Sequence, residues 1–259
     1  MNVEYHLDGD VAVLTLNRPE RFNAIEAGLA GDMIDALHAA EDESRAMVLT
    51  GAGEAFCSGA DLSQLMDQDD TGGPDLATLL DDVFHPMMLA LAKARIPTVA
   101  AVNGVAAGAG LGLALGCDIR LMAESAFLTS AFTAIGLIPD SGTTWWLPQH
   151  IGVSKAIELT MTNRRVDAAE AKTLGLCYEI VPDDEVVHRS VELAAKLTDL
   201  VPDSLVTTRR LIREASELTF EEALEAERAA QGRLGKTPEH QEGVAAFLEK
   251  RKPNFRDPG

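Results

Sequence analysis

The chain has 259 residues, 46% of them hydrophobic and 24% charged, which is globular composition rather than that of a disordered or fibrous chain. At that length a full-sized core is possible, burying roughly 70–75% of the surface the unfolded chain exposes. Its 41 Asp and Glu outnumber 22 Lys and Arg, giving a net charge of −19; such a surface repels a phosphate backbone, and the order of residues shows no basic patch that would offset it, so nucleic-acid binding is excluded.

Val11 to Asn17 is β-branched and apolar and reads as a strand, ended by Asn17-Arg18-Pro19 because proline restricts the residue before it. A helix is expected from about Ile25, with Leu29, Met33 and Leu37 on one apolar face. Ala46 to Thr50 is a short buried strand closed by Gly51-Ala52-Gly53. The stretch from Ala46 to Ala92 holds no Lys or Arg but many Asp, and Leu62 to about Asp75 reads as a loop. A helix is predicted over Leu76 to Ala92, then a strand over Thr98 to Val102. After Asn103-Gly104 a helix rich in Gly and Ala runs to Gly116, followed by a strand over Asp118 to Met122.

Further strands fit Phe127 to Thr129 and Cys177 to Val181, and helices fit Ser154 to Thr160, Ala168 to Leu174 and Asp184 to Leu197. Beyond Pro202 only helices are expected. The alternation predicts a layered α/β fold with some parallel pairing, in a core spanning residues 1–199, followed by a helical domain over residues 200–259. That second domain is suited to covering a site or joining subunits.

Cys57, Cys117 and Cys177 are widely spaced with no CxxC pair, so neither a disulfide framework nor a zinc cluster is indicated. The amino-terminal residues lack the basic start and apolar run of a signal peptide. The apolar stretch from Ile96 to Leu115 is broken by Pro97, Asn103 and several glycines, so no membrane span is expected, and the cytoplasm is the default location.

Two glycine-rich passages each follow a predicted strand, Gly51 to Asp61 and Asn103 to Gly110. Small residues let a backbone approach a ligand, and unsatisfied N–H groups at a helix start could converge on an oxygen and stabilise the enolate of a thioester. Tight packing alone is the other reading. The glycines at 108, 110 and 112 do not have dinucleotide-fingerprint spacing, and P-loop, HExxH and GxSxG patterns are absent. Asp140 is a lone carboxylate in the small and apolar passage Ile138-Pro139-Asp140-Ser141-Gly142, ahead of Trp145-Trp146. Burial there would raise its pKa and suit it to general acid–base work. Capping a helix with Asp140 or Ser141 is equally natural chemistry.

Taken in order, Asn17-Arg18-Pro19 with Asn23-Ala24, Phe56 to Leu62, Asn103-Gly104 with Ala107 to Gly110, Cys117-Asp118-Ile119, Gly136 to Pro139 and Glu242 to Phe255 resemble the crotonase (enoyl-CoA hydratase/isomerase) superfamily. The likeness spans essentially the whole chain. It implies a layered β/α spiral core with a carboxy-terminal helical domain, an acyl-CoA substrate, a homotrimer or dimer of trimers, and no metal or separate cofactor. It also implies that the N–H groups of Ala60 and Ala109 form an oxyanion hole. The two glutamates with which family hydratases add water are replaced here by Gly112 and Phe132, while the position of Asp140 is acidic in some family isomerases. Val83-Phe84-His85-Pro86, Asn103 to Gly110 and Gly136 to Asp140 resemble the bacterial ring-1,2-epoxyphenylacetyl-CoA isomerases in particular. The resemblance therefore makes Asp140, Ala60 and Ala109 the catalytic candidates. Arg21, Phe22, Ser58, Asp61, Leu62, His85, Gly108, Phe132 and Lys250 are the substrate-binding candidates. Where family members often carry a basic residue to hold the CoA phosphates, Glu20 and Ser63 stand here; Arg21 and the Lys250-Arg251-Lys252 cluster could compensate. An acyl-CoA isomerase is the leading expectation. A hydratase, another crotonase-fold lyase or hydrolase, and a non-catalytic acyl-CoA binder are its alternatives.

Overall fold

The computed structural model describes residues 1–61 and 75–257. The expected acidic loop, and with it Leu62 and Ser63, lies outside the described residues.

Six strands form the larger sheet. They are β1 (Val3–Asp8), β2 (Val11–Leu16), β3 (Ala46–Gly51), β5 (Thr98–Val102), β7 (Ile119–Ala123) and β10 (Glu179–Val181), in spatial order β1-β2-β3-β5-β7-β10. Only the β1–β2 hairpin is antiparallel; every other pair in this sheet is parallel. Parallel strands are covered on both faces, and β3 and β5 are accordingly buried along their whole length. Helix α1 (Ala27–Glu43) packs on β1, β2 and β3 through a face that includes Leu29, Met33 and Leu37, as its apolar spacing predicts. The side chain of Glu26 caps it by accepting from the Leu29 N–H at 3.2 Å.

The smaller sheet positions the site. It runs β4 (Ala55–Cys57), β6 (Val105–Ala107), β8 (Phe127–Thr129), β9 (Val166–Asp167), and its first three strands are parallel neighbours. Parallel neighbours release the chain at the same edge. Ser58–Ala60, Gly108–Ala109 and Ala131–Phe132 therefore leave side by side. Strand β6 stands where the sequence predicts the start of a helix, because Val-Ala-Ala carries no period that separates the two. The helix, α4 (Ala109–Gly116), begins only after Gly108. Gly108 has φ +54° and ψ −126°, a conformation left essentially to glycine, and this sharp corner lets strand pass directly into helix.

The helix expected over Leu76–Ala92 comes in three parts. α2 (Leu76–Leu79) and α3 (His85–Ala92) flank a π-helical turn at Leu80–Phe84. Such a bulge is a feature frequent at functional sites, and no sequence pattern announces it. Helices α5 (Thr143–Ile151), α6 (Val153–Thr162), α7 (Ala168–Thr173) and α8 (Val186–Thr198) follow, with α8 lying across β2, β3, β5 and β7.

After α8 come only helices, α9 (Pro202–Glu214), α10 (Phe220–Leu234) and α11 (Pro238–Glu249). Arg209 and Arg213 of α9 both engage Asp118, at 2.9 and 3.1 Å; Arg213 also donates to the Ala92 and Gly116 carbonyls at the ends of α3 and α4, and Arg209 to the Ala94 and Ile96 carbonyls just after α3. Arg213 thereby satisfies helix carboxy-terminal carbonyls, and both arginines fasten α9 to the core.

Candidate active site

A cavity of about 320 Å³ opens where the three parallel strands of the small sheet end. One wall is backbone and small side chains, Ser58, Gly59, Ala60, Gly108 and Ala109. The other walls are apolar: Leu76, Leu79, Leu80 and Phe84 from the α2–π-turn segment, and Ala131, Phe132, Ile135, Leu137 and Ile138 from the passage after β8. Asp140 is the one ionisable side chain among the described residues lining it.

The backbone wall supplies two hydrogen-bond donors whose directions follow from peptide geometry. In a trans peptide the C=O and N–H point opposite ways. The Gly59 carbonyl accepts from the Ile25 N–H at 2.7 Å, so the Ala60 N–H of the same peptide unit is turned away from Ile25. The Gly108 carbonyl accepts from the N–H groups of Leu111 and Gly112, at 3.0 and 3.3 Å, inside α4. The Ala109 N–H therefore points out of the helix start. Neither N–H donates to a protein acceptor among the described residues. The two segments touch: a Cβ at Gly59 would stand 3.4 Å from the Ala109 nitrogen and 3.0 Å from the Ala107 oxygen. A pair of free N–H groups on adjacent backbone at a cavity wall is the arrangement that stabilises an oxyanion.

Polar clasps hold that wall in place. Asn23 donates to the Ala52 and Ala55 carbonyls at 2.9 and 2.7 Å, and Asn103 donates to Gly53 at 3.0 Å. Arg18 donates to the Ala24 carbonyl at 2.6 Å and pairs with Asp61 at 2.8 Å, both side chains being largely buried. The Asp61 N–H bonds the Ile25 carbonyl at 2.9 Å. Ala60 is thus fixed on both sides. Among these residues the sequence marks Arg18, Asn23 and Asn103 as motif members, but nothing in it announces their joint task.

Asp140 faces the cavity from the segment before α5. Its carboxylate accepts from the Ser141 hydroxyl at 2.8 Å. Burial pushes the carboxyl above the ordinary carboxylate range, opposed by that hydrogen bond and by the charge of His85. It does not cap α5: the N-cap is Gly142, without a side-chain hydrogen bond, and only the Asp140 backbone carbonyl receives the Thr143 N–H, at 2.8 Å.

Of the family hydratase glutamate positions, Phe132 places a ring in the wall. Gly112 has no room for a side chain, since a Cβ there would lie 2.5 Å from the Ser141 oxygen and 2.9 Å from the Ser141 Cβ.

Other expected substrate contacts fall differently. Ser58 and Gly108 line the cavity, whereas Arg21, Phe22, Asp61, His85 and Lys250 do not. Asp61 is drawn inward by Arg18. His85 turns to Asp81, 3.1 Å away one helical turn earlier. Arg21 stays near the wall because its carbonyl accepts from the Ser58 hydroxyl at 3.3 Å, and Phe22 is exposed beside it. Lys250 closes α11 in a left-handed conformation, while Arg251 pairs with Glu242 at 2.6 Å and Lys252 with Asp199 at 2.8 Å. Those two cations of the terminal cluster are committed to carboxylates. A larger hollow, about 510 Å³, lies between α5 and α9, but its arginines, Arg209 and Arg213, are already bonded to Asp118.

Residues 7–258 match the family described as enoyl-CoA hydratase/isomerase. A "Probable enoyl-CoA hydratase" of Rhodobacter capsulatus is 40% identical over 253 residues, covering 98% of this chain and 97% of the relative. The "1,2-epoxyphenylacetyl-CoA isomerase" of Escherichia coli is 38% identical, covering 96% of both chains. The crystal structure of an enoyl-CoA hydratase from Bacillus anthracis superposes with a TM-score of 0.91 at 31% identity, covering 98% of this chain and 99% of that one. With the fold, the cavity and these matches agreeing, the chain belongs to the enoyl-CoA hydratase/isomerase family, the crotonase superfamily.

Proposed function

We propose that the protein is an acyl-CoA isomerase in which Asp140 carries one proton along the acyl chain. The thioester carbonyl oxygen sits between the N–H groups of Ala60 and Ala109. The Asp140 carboxylate removes a proton from the carbon beside the carbonyl, and the electron pair moves into the enolate that the two N–H groups stabilise. The protonated Asp140 returns the proton further along the chain, and the double bond shifts toward the thioester. No water is consumed, so one carboxylate is sufficient. The observation that carries this is that Asp140 is the one carboxylate among the described residues lining the cavity, with Gly112 filled against Ser141 and Phe132 in the wall where hydratases place glutamates.

The apolar and aromatic lining suits a hydrocarbon or aryl acyl group, and the likeness to epoxyphenylacetyl-CoA isomerases favours ring-1,2-epoxyphenylacetyl-CoA, converted to its oxepin isomer. Arg21 and Lys250 are the basic residues offered to the CoA phosphates, and the chemistry asks for no further cofactor. Apolar residues exposed on α10 and α11, including Phe220, Leu224, Val244, Phe247 and Leu248, support self-association through the 200–259 helices as a trimer or dimer of trimers. A second activity, hydration, is favoured by the description of the Rhodobacter relative.

Product analysis and solvent-deuterium incorporation with a 3-enoyl-CoA, native against Asp140→Asn, test the proposal. A 2-enoyl-CoA product lost in the variant, with CoA binding kept, supports it. Equal turnover in both removes Asp140 from the mechanism, and a 3-hydroxyacyl-CoA product supports hydration instead.

A further inference from the structure

Ser141 is held in an unusual way. It has φ +50°, a left-handed conformation that a non-glycine residue seldom adopts, and its side chain is buried. Two neighbours explain how it persists. Gly142, also left-handed at φ +78°, completes the turn into α5. Gly112 presents bare backbone on α4, leaving the space that the Ser141 carbonyl and Cβ occupy. In this pose the Ser141 hydroxyl donates to Asp140 Oδ1 at 2.8 Å, while no donor among the described residues engages Oδ2.

We propose that Ser141 is the positioning residue of the proton shuttle: seated against Gly112, it fixes Oδ1 of Asp140 and leaves Oδ2 free to take and return the substrate proton. This deepens, and rests on, the assignment of Asp140 as the shuttling carboxylate. Strain at Ser141 is tolerated here because the backbone turn and the missing side chain at position 112 determine it from both sides. A hydroxyl that donates to a carboxylate also favours its charged form, holding Asp140 as a base at a pH where burial alone would protonate it.

Among the described residues, the charged and titratable groups around Asp140 are few. The segment of α4 against it, Ala109 to Gly116, has none, and Thr133 to Ile138 has none. The π-turn and α3 bring His85, with Asp81 and Asp82 behind it. Loss of the Ser141 hydroxyl therefore leaves His85 as the remaining influence among the described residues that favours the carboxylate.

The test is the pH dependence of kcat/KM for 3-enoyl-CoA isomerisation in Ser141→Gly and Ser141→Ala, with Asp140→Asn alongside. Glycine removes the hydroxyl and keeps the left-handed backbone easy; alanine removes the hydroxyl and keeps the strain. In both serine variants the acidic limb moves up by about one pH unit and kcat falls about tenfold, with KM changed far less. An unmoved limb in Ser141→Gly overturns the proposal, and so does a loss confined to Ser141→Ala, which reports strain alone. Isomerisation that survives in Asp140→Asn refutes the underlying assignment of Asp140, a result distinct from either of these.

Discussion

Replacing Gly112 by alanine probes the contact on which the site depends. The added methyl would lie 2.5 Å from the Ser141 oxygen and 2.9 Å from its Cβ. Ordinary van der Waals separation is about 3.5–4.0 Å, so the Asp140–Ser141 segment has to retreat by roughly 1 Å. Overpacking of that kind costs about 1–3 kcal/mol, which in a chain of this size lowers the melting temperature by roughly 2–12 °C. A catalytic group displaced by about 1 Å loses on the order of 100-fold in rate. The expected result is a kcat for 3-enoyl-CoA isomerisation reduced about 100-fold, with KM nearly unchanged because Gly112 does not line the cavity. Coupled spectrophotometry of the conjugated product gives the rate, and a calorimetric melt gives the stability. Native kcat and melting temperature in Gly112→Ala would refute the packing of α4 against Ser141. Gly112→Glu, which supplies a family hydratase carboxylate, is expected to yield no 3-hydroxyacyl-CoA, because the side chain has no space to enter.

Arg18→Ala removes the guanidinium that bonds the buried Asp61 carboxylate and is expected to destabilise the fold by about 2 kcal/mol in urea titration. It also loosens the Ala60 peptide, so its kcat falls more than its KM rises. Asp140→Asn is expected to raise the melting temperature at neutral pH, on the order of 2 °C. A carboxyl whose pKa is raised by folding favours the folded state only while protonated and subtracts stability as pH rises through its folded pKa. The gain over native protein should therefore vanish near pH 4 in paired melts at both pH values. The thiols of Cys57 and Cys117 are buried and pushed up to about 12 by desolvation. Neither should react with iodoacetamide at pH 8 until denaturant is added, as peptide mass mapping would show.

Where apolar period and length agree, the residues announce the element. The Leu29–Met33–Leu37 stripe marks α1, and the runs of β2, β3 and β5 mark buried strands. Strand β6 is hidden because its three residues are small and adjoin a helix of similar composition, so only pairing with β4 and β8 decides their state. Helix α5 contains Pro148 and starts from two left-handed residues, signals that read as a turn. At the site, a carboxylate three residues before a helix fits a cap and a catalyst alike; only the bare Gly142 N-cap and the lining of the cavity separate them. The proposed oxyanion donors are backbone groups, so no side chain encodes them directly; the long-range bond between Ile25 and Gly59 turns the Ala60 N–H, and the Gly108 carbonyl bonds at the start of α4 turn that of Ala109. The role of Gly112 has no local signal either, for a glycine inside a Gly/Ala helix looks like composition until Ser141 is seen against it.

On the proposed mechanism, the placement of charge among the described residues would let Asp140 serve as both base and acid. A Lys or Arg beside the thioester would stabilise the enolate, but it would pair with Asp140 and hold its pKa low, leaving a poor proton acceptor. Here the enolate is met by two peptide dipoles that add no net charge. Among the described residues the side chain whose positive charge, when protonated, acts on Asp140 from nearby is His85, and its ring is itself engaged by Asp81. Burial raises the carboxyl's pKa and makes it a better proton acceptor, while the Ser141 hydroxyl opposes that rise and favours the charged form. The strongly acidic exterior places the converse demand at the cavity mouth. An anionic CoA has to be met there by local cations, and Arg21, tied through its backbone to Ser58, stands beside the wall that carries the oxyanion donors.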